Sequence, residues 1–246
     1  MPPPNNPLYS GYQPLRAAKE AVKSFIRQLD PQFDQVGLVS YSTDMPAAGR
    51  VELRCKRFRT ANDCFMGTNP ISYTDVLETL ETLPPWGSTN MAGGMLRGLE
   101  ALGIDADGAA GFDNSCGTAT DHCSRGGAAR RVMVVMSDGI ANKDPGGLCD
   151  NAANAGLWPP TNHMTSGTGW EEAQATDCVM YYGQIAANNN VTIYTIGLGN
   201  GVDVDLMTAV AELPGSNGEY FAAVSPAQLN GIFSAILQSV SVRLIE

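Results

Sequence analysis

The chain has 246 residues, enough to bury one substantial core, and 43% of them are hydrophobic while 16% are charged, the composition of a globular domain rather than a disordered or fibrous chain. A formal net charge of -10, with 15 lysines and arginines scattered without a basic run, repels phosphate backbones and excludes nucleic acid as the expected partner. No stretch of 18 apolar residues occurs, so no membrane span is expected within this chain, and Met1 runs into "PPPNNP" rather than a signal peptide.

In chain order, Pro14 suits a first helical position, and Leu15, Ala18, Val22, Phe25, Ile26 and Leu29 recur at helical spacing, which predicts an amphipathic helix over 14–29. "QVGLVSYS" (35–42) follows as a short apolar strand, and "RVELR" (50–54) as a second whose charges suit a sheet edge. A helix over 73–83 puts Val76, Leu77, Leu80 and Leu83 on one face, with Thr74 as its expected N-cap. "GSTN" (87–90) opens a helix over 91–102 that contains Gly93 and Gly94, adjacent glycines that allow a neighbour to pack close. Residues 103–129 are too long for an ordinary connection and predict an irregular surface insertion. "RVMVVMS" (131–137) is a buried strand that ends abruptly in Asp138-Gly139, and a second insertion covers 142–169. The pattern resumes with a helix over 171–188, a strand over 191–199, a helix over 203–212 and a strand over 219–224. Ser225 then caps a last helix with Leu229, Ile232, Phe233, Ile236, Leu237 and Val240 on one face.

Helices alternate with strands, and the central strands are continuously apolar, as strands covered on both faces must be. The expected fold class is α/β, a doubly wound, mostly parallel open sheet with helices on both faces. Residues 1–246 form a single domain, with irregular cysteine-containing insertions near 55–70, 103–129 and 142–169. Cys55, Cys64, Cys116, Cys123, Cys149 and Cys178 lie in or beside those insertions. Sequence proximity suggests pairing 55–64, 116–123 and 149–178, one of 15 possible connectivities, and an extracytoplasmic address; reduced cytosolic thiols are the alternative. Zinc is a further alternative, since Cys116, Asp121, His122 and Cys123 are ligand types, although no CxxC pair is present and the other histidine is His163.

In open α/β sheets ligands bind beyond the carboxyl ends of the strands. The residues that follow the strands are Ser42, Thr43 and Asp44, then Asp138 and Asn142, then Asn200 and Asp203, with Gly87 to Asn90 opening a helix nearby. Hydroxyls and carboxylates without thiol or imidazole suit Mg²⁺ or Mn²⁺ better than zinc. Asp203 is expected to be an N-cap rather than a ligand, and Ser42 and Asp44 ordinary loop residues. No serine, histidine and acid fall at spacings that suggest a catalytic triad.

Four phrases, "AAKEAVKSFIRQLDPQFDQVGLVSYST", "GSTNMAGGMLRGLEAL", "RRVMVVMSDGIANK" and "VTIYTIGLGNGVDVDLM", occur in the order of one known family. On them the chain resembles the von Willebrand factor type A (VWA) domain over nearly its whole length outside the insertions. That resemblance implies a Rossmann-like sheet and a metal-ion-dependent adhesion site (MIDAS), built from an Asp-x-Ser-x-Ser loop after the first strand, a threonine in a second loop and an aspartate in a third. Matched by motif, the metal ligands are Thr89 and Asp138. No Asp-x-Ser-x-Ser precedes the first helix, and neither does the apolar strand that should carry it. In family members that loop commonly reads Asp-x-Ser-Gly-Ser-Met and runs into a segment like this N-terminus. Met1 therefore matches the methionine after the motif, and the first central strand is expected to be missing between 35–42 and 131–137. A degenerate member that never had the site is the alternative.

The resemblance implies a non-enzymatic, extracytoplasmic binding module whose partner is a protein offering a carboxylate to Mg²⁺ or Mn²⁺, with weak or absent metal binding from the two remaining ligands. "NNPLYSGYQPLRAAKEA" and "YTIGLGNGVD" look most like bacterial members in TadE/TadG-like tight-adherence pilus assembly proteins. Two other classes stay open: a metal-dependent phosphoryl hydrolase using Asp138, and a metal-free structural domain of a surface assembly. Against the hydrolase, no Gly-rich phosphate loop follows a strand.

Overall fold

The computed structural model describes residues 13–30, 34–43, 50–54, 73–83, 87–106, 130–145, 149, 157–158, 170–223 and 226–242. Five strands and six helices are found among them: α1 (Gln13–Ile26), β1 (Val36–Val39), β2 (Arg50–Arg54), α2 (Thr74–Thr82), α3 (Met91–Ala101), β3 (Arg131–Ser137), α4 (Trp170–Asn188), β4 (Val191–Leu198), α5 (Val204–Ala211), β5 (Glu219–Ala223) and α6 (Pro226–Val242). The connections before β3 and before α4 contain the segments read above as insertions. Most of their residues, with Cys55, Cys64, Cys116, Cys123, Asp121, His122 and His163, lie outside the described set, as do Asp44 and Ser225.

β3 pairs with β4 in parallel over its full seven residues, from Arg131 against Val191 to Ser137 against Gly197. β5 joins the far side of β4, also parallel. The apolar sequence of β4 follows from its place between two neighbours and two helical layers: Val191 to Gly197 are all buried. Alternation then sorts the side chains by face. Met133, Val135, Val191 and Ile193 face α3, α4 and α5, where Met95, Leu99, Val179, Tyr182, Leu206 and Met207 complete the larger core. Tyr194 and Ile196 face α1 and α6, meeting Ala18, Ala21, Leu229, Phe233 and Ile236. Phe25 and Phe233 hold these two helices together with ring centroids 4.9 Å apart. Each fully buried Ile or Leu here contributes roughly 1.5–3 kcal/mol. This is the doubly wound α/β architecture.

β1 and β2 form a separate antiparallel pair, with a register irregularity between Val36 and Leu38. Val36 and Leu38 pack on Ile26, Tyr73 and Val76, so α1 and α2 cover this pair from the side on which α1 also covers β3 to β5. Lys19 strengthens the α1–α2 contact by donating to the carbonyls of Glu81 (2.9 Å) and Leu83 (2.7 Å), which end α2 without helical partners. Among the described residues β1 and β3 share no ladder hydrogen bonds, and the sheet is in two pieces. Every residue of β1 keeps some exposure, whereas only Leu198 of β4 does, because among the described residues β1 has a neighbouring strand on one edge alone.

Two details differ from the sequence-based expectation. β1 is shorter than 35–42, because residues from Tyr41 onward leave the ladder to contact the loops beyond it. Tyr73, not Thr74, is the N-cap of α2 and makes no side-chain cap bond. Tyr73 is buried against Val76 and donates its hydroxyl to the Asp34 carbonyl (3.2 Å), so tertiary packing sets this helix start.

Cys149 and Cys178 form a disulfide across a sequence separation of 29 residues, which ties the second insertion to the middle of α4. The Asp177 carboxylate accepts from the Trp158 N–H (2.6 Å) and pins the same insertion. Closing a loop of that length in the unfolded chain is worth about 3–4 kcal/mol. Replacing both cysteines by serine should lower the urea midpoint by a corresponding amount, and an unchanged midpoint would show that the insertion is held without the bridge.

Candidate functional site

Four chain segments converge beyond the carboxyl ends of the strands: Tyr41–Thr43 after β1, Gly87–Asn90 before α3, Asp138–Asp144 after β3 and Gly199–Asp203 after β4. Hydrogen bonds lock the first three of these segments to one another. The Asn90 N–H donates to the Ser42 carbonyl (2.9 Å), and the Ser88 N–H to Thr43 Oγ1 (2.9 Å). The Thr89 N–H donates to Asn142 Oδ1 (2.8 Å), and the Asn142 N–H returns a bond to the Thr89 carbonyl (3.1 Å). Asn90 is buried, caps α3 by accepting from the Gly93 N–H (2.9 Å), and reaches the Asp144 carbonyl with its amide nitrogen (3.4 Å).

Glycines permit this crowding. A Cβ at Gly87, whose φ is +118°, would lie 2.7 Å from Ser42 Cβ. A Cβ at Gly139 would lie 3.0 Å from Thr89 Oγ1, which puts the Thr89 hydroxyl against the residue next to Asp138. Gly201 approaches the Asp138 carbonyl just as closely, at 2.9 Å for a Cβ there. Asp138 itself is exposed, at the tip of β3, and Thr89 is half-buried. Its turn is braced from below: the Ser137 hydroxyl donates to the Gly139 carbonyl (2.9 Å) and accepts from the Gly139 N–H (3.3 Å).

Thr89 and Asp138 are thus carried on two loops that touch. Asp203 stands apart in role: its Oδ1 accepts from the Leu206 N–H (2.9 Å), the N-cap of α5. Ser42 serves through its carbonyl. Asn200 is exposed in the turn after β4. Thr43 and Asn142, at strand ends in the sequence, prove to be the side chains that fasten one loop to the next; nothing in their local spacing announced it.

Tyr41 is a participant that the sequence did not mark. Its ring packs on α3, where a Cβ at Gly94 would lie 2.4 Å from the ring, so one of the two adjacent glycines does admit a neighbour. Its hydroxyl donates to the Met136 carbonyl of β3. Burial pushes the Tyr41 hydroxyl pKa well above its ordinary value; a hydrogen bond with Ser137 opposes the shift and the Asp138 charge adds to it. A raised tyrosine pKa means that the folded state holds the proton while the unfolded chain releases it near its usual value of about 10. The stabilisation is complete below about pH 10 and is lost as pH rises above it. Tyr41→Phe should flatten the decline of stability above about pH 10, measured by denaturant titration at each pH; an unchanged slope would assign the decline to other groups.

The donor chemistry fits a hard cation. A hydroxyl and a carboxylate oxygen are the ligand types of Mg²⁺ and Mn²⁺. Among the described residues no group of three His, Cys, Asp or Glu side chains is placed to hold a metal, so Thr89 and Asp138 would leave most of an octahedron to water or to donors from elsewhere.

No protein-family model matches the chain, and no curated protein matches it. Solved structures do. A von Willebrand factor type A protein from Catenulispora acidiphila aligns with a TM-score of 0.53 and 15% identity, over 93% of this chain and 38% of that one. A mutant of the PilB minor pilin from Streptococcus sanguinis aligns with a TM-score of 0.53 and 17% identity, over 92% of this chain and 54% of the pilin. Proximal thread matrix protein 1 of the mussel byssus, with a zinc-occupied MIDAS motif, gives a TM-score of 0.49 and 15% identity over 93% of this chain and 43% of that one. The chain therefore spans between 38% and 54% of the length of these structures. The first of these likenesses shows the fold: the chain has the Rossmann-like von Willebrand factor type A architecture.

Proposed function

We propose that this chain is a non-enzymatic protein-binding module of the adhesion type, which recognises a carboxylate of a protein partner through a divalent cation held at Thr89 and Asp138. The observation that carries this reading is the contact of the Thr89 hydroxyl with Gly139, beside the exposed carboxylate of Asp138, in the crevice where open α/β sheets bind ligands. Mg²⁺ or Mn²⁺ bound there would supply positive charge with open coordination positions for the partner's carboxylate. The two loops hold their ligands ready, and the exposure of Asp138 leaves the approach open.

The Cys149–Cys178 bridge supports an extracytoplasmic setting, where disulfides persist. No helix of the described residues is long and apolar enough to cross a membrane. The TadE/TadG-like phrases and the fold shared with a minor pilin favour a role in bacterial pilus assembly or surface attachment. Residues 1–246 act as one domain in this reading, with the cysteine-rich insertions as its surface elaborations.

Two ligands bind a hard cation weakly, and the sheet suggests where more come from. The Tyr41 side chain reaches from the end of β1 to the Met136 carbonyl of β3. Among the described residues β1 and β3 share no ladder hydrogen bonds, and in this reading a further strand lies between them. A strand seated there with Asp-x-Ser-x-Ser at its carboxyl end would bring three more oxygens to Thr89 and Asp138.

Fusing an apolar strand with that motif ahead of Met1 should make the melting temperature rise in Mn²⁺ relative to chelator, by the few degrees that about 2–3 kcal/mol of ligand stabilisation produces. Asp138→Ala should abolish the rise and Thr89→Ala should reduce it, while the 246-residue chain alone responds little. A full metal response in the Asp138→Ala protein would sink the assignment.

A further inference from the structure

We propose that Asn142 is the positioning residue of this site: it sets the Thr89 main chain so that the hydroxyl lies against the Asp138 loop, without being a ligand itself. The inference rests on the cation reading above. Thr89 and Asn142 exchange two hydrogen bonds, Thr89 N–H to Asn142 Oδ1 at 2.8 Å and Asn142 N–H to the Thr89 carbonyl at 3.1 Å. One bond between two loops leaves a rotation free. Two bonds between the same pair of residues fix both the separation and the orientation of the Thr89 peptide relative to the Asp138 turn.

The other side of Thr89 is already immobile. Asn90 is buried, its N–H is held by the Ser42 carbonyl, and its side chain is committed to Gly93 and Asp144. Thr89 therefore stands between a residue anchored to α3 and a residue of the loop that carries Asp138. The Asn142 side chain decides the second attachment, because its amide oxygen is the acceptor for the Thr89 N–H. A neutral hydroxyl is a modest ligand whose contribution depends on lying within a few tenths of an ångström of its proper place. Residues that orient ligands in this way typically change metal affinity by about 10- to 100-fold when removed. Asn142 is exposed and lies outside the packed interior, so its loss falls on the local geometry and not on the core.

Asn142→Ala removes the acceptor and keeps the main-chain half of the lock, while Asn142→Asp keeps an acceptor oxygen in place. The test uses the isotopically labelled 246-residue chain, with Mn²⁺ alone as the probe, in two measurements. The first is hydrogen exchange of the Thr89 amide in chelator, which reports the lock without any metal. The second is paramagnetic broadening of the Thr89 and Gly139 amide resonances as Mn²⁺ is added, which detects weak binding. Asn142→Ala should speed exchange at Thr89, leave the melting temperature in chelator nearly unchanged, and raise the Mn²⁺ concentration for half-broadening roughly ten-fold. Asn142→Asp should restore slow exchange and Mn²⁺ sensitivity. Faster exchange in the alanine variant with an unchanged Mn²⁺ midpoint would overturn the role of Asn142 while leaving the cation site standing, as would failure of the aspartate variant to restore binding. Absence of selective broadening around Thr89 and Gly139 in the unsubstituted protein would remove the cation reading itself, and the positioning role with it.

Discussion

The parallel pairing of β3 with β4 is the contact on which the rest of the structure depends. Seven residues of each strand are in register, and β4 is buried on both faces by helices that approach from opposite sides. A parallel pair needs helical cover, because its connections must cross over the sheet and the side chains of β4, the inner strand, are almost all out of water. The order of helices along the chain follows from that need. α3, α4 and α5 fill one face, α1 and α6 the other, and α2 extends the second layer under β1 and β2.

A strand held this firmly makes a good mount for a polar group. Met133 and Val135 are anchored in the larger core, and the chain emerges three residues later at Asp138, which is exposed. The neighbouring loops gain their order from one another: three of the four segments are joined by bonds among Ser42, Thr43, Ser88, Thr89, Asn90, Asn142 and Asp144. The fourth fits by close backbone approach at Gly201. Water-exposed hydrogen bonds contribute little each to stability, and their value here is geometric.

The break between β1 and β3 is the least ordinary feature of the sheet. Backbone donors and acceptors at a strand edge need partners, and at the carboxyl end one of these carbonyls, that of Met136, is served by the Tyr41 hydroxyl. α1 and α3 pack on both halves of the sheet from opposite faces and hold them together across the break. Among the described residues the two halves are thus joined through side chains rather than through a ladder, beneath the loops that carry Thr89 and Asp138.

The alternation of elements, their approximate limits and the identity of the buried faces were legible in the sequence, because periodicities of 3.6 and 2 residues are imposed by neighbours along the chain. So was Asp138, an acid that ends an apolar run, and the nearby pairing of Cys149 with Cys178. Tyr73 in place of Thr74 as the N-cap of α2, the shortening of β1, and the roles of Tyr41 and Asn142 were decided only in three dimensions. Each depends on a partner far along the chain: Tyr73 meets Asp34 across 39 residues, Tyr41 meets Met136 across 95, and Thr89 meets Asn142 across 53. A hydrogen bond of that span has no local signature, since any of several loop residues could supply the donor or acceptor. Which one does so is settled when the packing of β3 on β4 and of α3 on the sheet brings the loops to a common point.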